Sequence, residues 1–133
     1  MNMENDTRLE GFVVIHAYTR AQAIEDGVLV DLSDLAREAG YRFPVAVTRG
    51  VLGVLNPTKE LEAEGQDMAG RAWDMLAILR YGIRSASRTD EVRFAPLFLR
   101  EPGQKVEPVE MWAKCGPGDD AEPVITVMLK GED

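Results

Sequence analysis

The chain has 133 residues, 45% hydrophobic and 29% charged, with a formal net charge of -8. This length and balance suit one domain whose core needs no disulfide or metal, and they exclude wholesale disorder. The acidic balance argues against a coat for DNA or an anionic membrane, and no apolar run approaches the roughly 20 residues that span a bilayer.

In chain order, the start Met1-Asn-Met-Glu-Asn-Asp lacks the basic and apolar segments of a secretory signal. With a single cysteine, unable to form an internal disulfide, this predicts a cytoplasmic protein whose residues 1–10 are flexible. Thr19-Arg-Ala-Gln22 has the form of a capping box, predicting a short helix from Arg20 to about Asp26 closed by Gly27. Val28-Leu-Val30 leads to a second helix that starts at Ser33 and stops at Gly40. Pro44 suits a helix's first turn, and Val45, Thr48, Val51, Leu52 and Leu55 recur at helical spacing, predicting a third helix ended by Asn56-Pro57. Lys59 to Gly65 is acidic with little to bury and reads as a solvated linker or exposed helical turn.

From about Gln66 to Ser87, Met68, Ala72, Met75, Leu79 and Ile83 draw one apolar stripe along the main helix. Arg80, Arg84 and Arg88 follow at four-residue spacing near its C-terminus, where the helix dipole favours cations. After Thr89 the period changes to two. Val92 and Phe94 share a face, Ala95-Pro96 forms a bulge of an edge strand, and Leu97 and Leu99 resume in the opposite phase. Pro102-Gly103 turns the chain. Val109, Met111, Ala113 and Cys115 then face the core, with Glu110, Trp112 and Lys114 opposite. The last strand, Val124 to Leu129, is apolar at nearly every position and is the natural central strand. The expected fold is therefore α+β: short N-terminal helices and one long amphipathic helix packed on a C-terminal three-stranded antiparallel sheet.

Charge is unevenly spread. Residues 1–70 carry 12 acids and 6 bases, 71–100 carry 3 acids and 6 bases, and 101–133 carry 8 acids and 3 bases. A basic middle thus lies between two acidic ends.

Three stretches carry a resemblance: Ile15-His-Ala-Tyr-Thr-Arg-Ala-Gln-Ala-Ile-Glu-Asp-Gly-Val-Leu-Val-Asp31, Gly40-Tyr-Arg-Phe-Pro-Val-Ala-Val-Thr-Arg49, and Cys115-Gly-Pro-Gly-Asp-Asp-Ala-Glu-Pro-Val-Ile-Thr-Val-Met-Leu129. In these the chain resembles a family of small proteins of unknown function carried by bacteria, phages and plasmids. The resemblance implies a soluble accessory protein linked to mobile elements and points toward counter-defence roles. It carries no catalytic residues.

Several groupings hold chemistry. Asp119, Asp120 and Glu122 in the Gly116 to Pro123 loop offer a hard cation oxygen ligands, but they lack the alternation of a calcium loop, and a solvated hairpin connection with glycines at positive φ explains more of the residues. Cys115 with His16, the only histidine, could form a nucleophile and base, set against an inward thiol acting as a small hydrophobe. Tyr18 to Gln22, with Arg20, gathers polar groups at a helix start suited to an anion, although the cap alone accounts for Thr19 and Gln22. Arg80, Arg84 and Arg88 could grip phosphates, set against a solvated basic face. Glu60, Glu62, Glu64 and Asp67, or the loop carboxylates, could imitate a row of phosphates toward a basic partner, set against plain surface acidity.

The leading expectation is a non-enzymatic protein-interaction module with no metal and no cofactor. Its partner would be a host protein, such as a basic nucleic-acid-binding defence protein inhibited in the anti-CRISPR or antirestriction manner. A nucleic-acid-binding or regulatory module using the arginine helix is the alternative, and an enzyme with an unrecognised site is third. A homodimer is compatible with the sequence.

Overall fold

The structure, a computed structural model, describes residues 18–86 and 90–132. The first ten residues, expected to be flexible, lie outside this range. Helix α1 (Arg20–Glu25) starts at the expected capping box: Thr19 Oγ1 accepts from the Gln22 amide, and Gln22 Oε1 accepts from the Thr19 amide. Gly27 follows at φ 77, the left-handed residue that lets the chain leave the helix. Strand β1 (Leu29–Asp31) and helix α2 (Ser33–Glu38) come next, and Gly40 at φ 100 ends the unit.

The expected helix from Pro44 is corrected in its first half. Residues Val45–Thr48 form strand β2, and helix α3 (Arg49–Leu55) begins only after Thr48, whose hydroxyl caps the Val51 amide. The run Val45-Ala-Val-Thr is β-branched at three positions of four, which costs side-chain freedom in a helix and suits a pleated surface. Val45, Ala46 and Val47 are all fully buried, so both faces of β2 are covered, and helical spacing alone could not reveal that.

Helix α4 (Lys59–Ala63) is capped by Thr58. The segment was expected to bury little, yet Leu61 is 0% exposed and anchors it. Helix α5 (Met68–Ser85) is the long one, capped by Asp67. Of its predicted stripe, Ala72, Met75 and Leu79 are buried and Met68 packs against them, whereas Ile83 is exposed and lines an open groove with Val92 and Ile125.

Strand β3 (Glu91–Phe94) is an edge strand as expected, but it ends at Phe94, and the expected bulge at Ala95-Pro96 leading on to Leu97 and Leu99 in the same strand is corrected. The chain then leaves the sheet: β4 (Leu97–Phe98) pairs with β5 (Glu107–Pro108) in a separate two-stranded hairpin, burying Phe98 and exposing Leu97. Strands β6 (Met111–Pro117) and β7 (Pro123–Leu129) pair antiparallel over their whole length.

The main sheet has the order β1-β2-β7-β6-β3. The three antiparallel C-terminal strands were expected; the extension is the correction. Strand β2 joins β7 in parallel, in the register Val45↔Ile125 to Val47↔Val127, and β1 adds antiparallel beyond it. The result is an α+β fold with a five-stranded mixed sheet, and β7 is its central strand. Helices α2, α3 and α5 share one core with Val45, Val47, Met111, Ala113, Ile125 and Val127. Residues of opposite parity, Ala46, Val124 and Met128, are also buried on the other face, where Arg20 of α1 reaches Thr126. Among the described residues no helix is long and apolar enough to cross a membrane.

Candidate functional site

The acidic loop between β6 and β7 stays at the surface but is tied to the start of α1. Asp119 Oδ1 accepts from the Arg20 amide at 2.8 Å, and Oδ2 accepts from the Ala21 amide at 3.0 Å. These are the first two amides of α1, which no turn of the helix can satisfy. Thr19 takes the third, so one distant carboxylate and one local hydroxyl complete the cap. Those two bonds hold the Asp119 carboxyl below the usual range, with Arg20's charge assisting. Arg20 closes the joint from the other side, donating from Nη1 to Thr126 Oγ1 at 2.6 Å and from Nη2 to the Ile125 carbonyl at 2.9 Å. Partial burial pulls the guanidinium below its ordinary pKa, opposed by Asp31, Asp119 and Glu122.

The anion expected at the start of α1 is therefore the chain's own Asp119. Tyr18 lies beside the cap but turns to Asp26, where accepting carboxylate charge raises its hydroxyl pKa. Within the loop, Glu122 Oε1 accepts from the Asp120 amide at 2.9 Å, and the Gly118 amide donates to the Glu122 carbonyl at 2.6 Å. A Cβ on Gly118 would meet the Glu122 carboxylate at 2.5 Å, so close approach is what this glycine serves. The positive φ expected of the loop glycines falls instead on Ala121, at φ 66. Among the described residues no group of three or more His, Cys, Asp or Glu gathers as metal ligands. Of the three loop acids, all exposed, Asp120 alone has a carboxylate unengaged among the described residues.

The second acidic group sits on different elements. Glu60 and Glu62 occupy the first turn of α4 and Glu64 its C-cap, all exposed. None is engaged by a cation or donor among the described residues. Asp67 is spent as the α5 cap, accepting from the Gly70 amide at 2.7 Å.

The arginine row divides. Arg80 lies partly buried against Gly40, where a Cβ would come within 2.8 Å of its guanidinium carbon. Arg84 is exposed and unpaired among the described residues. Arg88 falls outside them, as does His16, the base of the weighed dyad. Cys115 was expected inward and is exposed. It shares the face of Met111 and Ala113, but at its level that face opens into a groove beneath the end of α5. The thiol stands at the mouth of a groove of about 260 Å³ lined by Phe43, Ile83, Ala86, Val92 and Ile125.

One buried residue escaped the sequence reading. Arg71, 6% exposed, donates from Nε to the Leu55 carbonyl, from Nη2 to Val54, and from Nη1 to Leu99 and to Gln66 Oε1. Its guanidinium also lies 5.0 Å from the Phe98 ring centre. It thereby satisfies the last carbonyls of α3, the negative end of that helix. The signal was its place four residues before Met75 on the apolar side of α5.

The chain belongs to a family of unknown function, DUF6573, whose model matches residues 3–133. No curated protein and no solved structure matches it.

Proposed function

We propose that the protein is a non-enzymatic interaction module that presents the acidic face of α4 to a basic partner. The observation that carries this reading is the state of Glu60, Glu62 and Glu64. Among the described residues their carboxylates are exposed and unengaged, on a helix pinned by Leu61 and Thr58, whereas Asp119, Glu122 and Asp67 are used up in holding the fold. Exposed carboxylates on a short helix, Glu60 and Glu64 on one flank and Glu62 on the other, attract an oppositely charged surface at long range and speed capture. The partner class that fits is a nucleic-acid-binding protein, since such proteins carry basic surfaces. A host defence protein is the instance we put first, as an extension of that reading.

The test is affinity capture from host lysate with the wild type and the triple variant Glu60→Gln/Glu62→Gln/Glu64→Gln, over a salt series. We expect a basic protein retained by the wild type at low salt, released as salt rises, and lost with the triple variant. Capture that is indifferent to the three substitutions overturns the reading. Gel shift with free DNA or RNA supplies the opposing arm: a steep salt slope abolished by Arg84→Ala would move the activity to the arginine side.

A further inference from the structure

The outward face of α5 has no role in the fold or in the acidic surface. Met75, Leu76 and Leu79 of this helix are fully buried, as its inward side requires. Its opposite side carries Trp73, Ile78 and Tyr81, exposed by 41%, 47% and 74%, around an exposed Ala77. A helix in finished contact with its surroundings shows polar residues there, and an exposed aromatic stripe marks a contact surface.

The stripe is complementary to itself. Trp73 and Tyr81 stand four residues either side of Ala77, and Gly70 and Arg84 seven either side. Laid head to tail on a second copy about Ala77, Trp73 comes level with Tyr81, and Arg84 comes level with Gly70, between Asp67 and Asp74. The charges enforce that direction: the N-terminal half of the face carries Asp67 and Asp74, and the C-terminal half carries Arg80 and Arg84. An antiparallel pair therefore sets unlike charges and opposed helix dipoles side by side, and a parallel pair sets like against like. The absence of a side chain at Gly70 and the small one at Ala77 let the backbones approach, while the aromatic rings fill the flanks.

The rest of the molecule sharpens the choice of partner. Two copies of an acidic chain repel, so they can meet only where the surface is not acidic. Leaving aside the buried Arg71, the stretch from Asp67 to Arg84 holds two acids and two arginines, so the excess of carboxylates is suspended there. We propose that α5 is a two-fold dimer interface, with a second copy of this chain packed antiparallel on Trp73, Ala77 and Tyr81 and the symmetry axis passing beside Ala77. The two α4 faces then belong to one particle, which doubles the acidic surface available to a basic partner.

Sedimentation equilibrium across a wide dilution series tests the association, and disulfide trapping tests the geometry. The wild type is expected as a dimer. Ala77→Glu, an exposed position whose change leaves the fold's circular dichroism intact, places like charges together at the axis and weakens association at least about tenfold. Arg84→Glu weakens it in the same sense. In a Cys115→Ser background, Ala77→Cys oxidises to a linked dimer, whereas Glu38→Cys on α2, equally exposed, does not. A wild type that is monomeric throughout, a dimer indifferent to Ala77→Glu, or equal trapping at both cysteines overturns the proposal.

Discussion

Arg71 shows how much one side chain can hold. Its guanidinium meets four oxygens from three segments, and no carboxylate shares the site. Burial lowers its pKa, with Arg100's charge adding to the effect, so the carbonyl dipoles are what keep it charged. Arg71→Ala leaves those carbonyls unsatisfied and opens a void beside Phe98, and should destabilise by about 3 kcal/mol in denaturant unfolding. Arg71→Lys should recover little, because a point ammonium cannot replace a planar fork that donates in several directions. At Gly40, two reasons coincide: φ 100 and the Arg80 guanidinium where a Cβ would sit. Gly40→Ala should therefore cost about 1–2 kcal/mol or more in the same measurement, from left-handed strain plus displacement of Arg80. Cys115 offers a simpler readout. Its thiol should react with Ellman's reagent in the native state without unfolding, and slow reaction released only by denaturant would contradict its exposed position.

Legibility in the sequence differed from element to element for physical reasons. Helices α1, α2 and α5 were readable because their ends are written locally, in Thr19, Gln22, Gly27 and Gly40, and because α5 is long enough for its stripe to repeat. Strand β7 was readable from its composition. Strand β2 was not: four residues cannot display a period, and what makes Val45 to Thr48 extended is the parallel partner β7, whose paired residues lie 80 positions away in sequence. The loop between β6 and β7 failed in a related way. Its acids look free for solvent or metal in one dimension, and only the arrival of α1 shows that Asp119 has amides to satisfy. That joint makes a pH prediction. The Asp119 pKa is lower folded than unfolded, so its contribution is complete above the ordinary carboxylate value and is lost as pH falls through the folded one. Asp119→Asn should lower Tm at neutral pH, and the gap from wild type should close as the pH falls below the ordinary carboxylate value and through the lower folded one. A gap that persists unchanged in acid would mean that charge is not what Asp119 brings to the cap.

At the scale of the molecule, the two faces of the sheet are held by different means. One is packed against α2, α3 and α5 through a continuous apolar core, and the other is tied to α1 by Arg20 and Asp119 over a smaller buried patch. Apolar burial and backbone pairing on both sides make β2 and β7 costly to open. A short helix held by a handful of polar bonds opens at lower free energy. Native-state hydrogen exchange should then sort the amides by face. Those of Val47 and Val127 should exchange only through global unfolding, and those of Ala23 and Asp26, bonded to Thr19 and Gln22 carbonyls, through a cheaper opening of α1. Asp119→Asn should accelerate exchange at Ala23 and Asp26 under conditions where the core amides keep wild-type protection. Equal acceleration at all four sites would show that α1 and the sheet open as one unit, and that the joint belongs to the core.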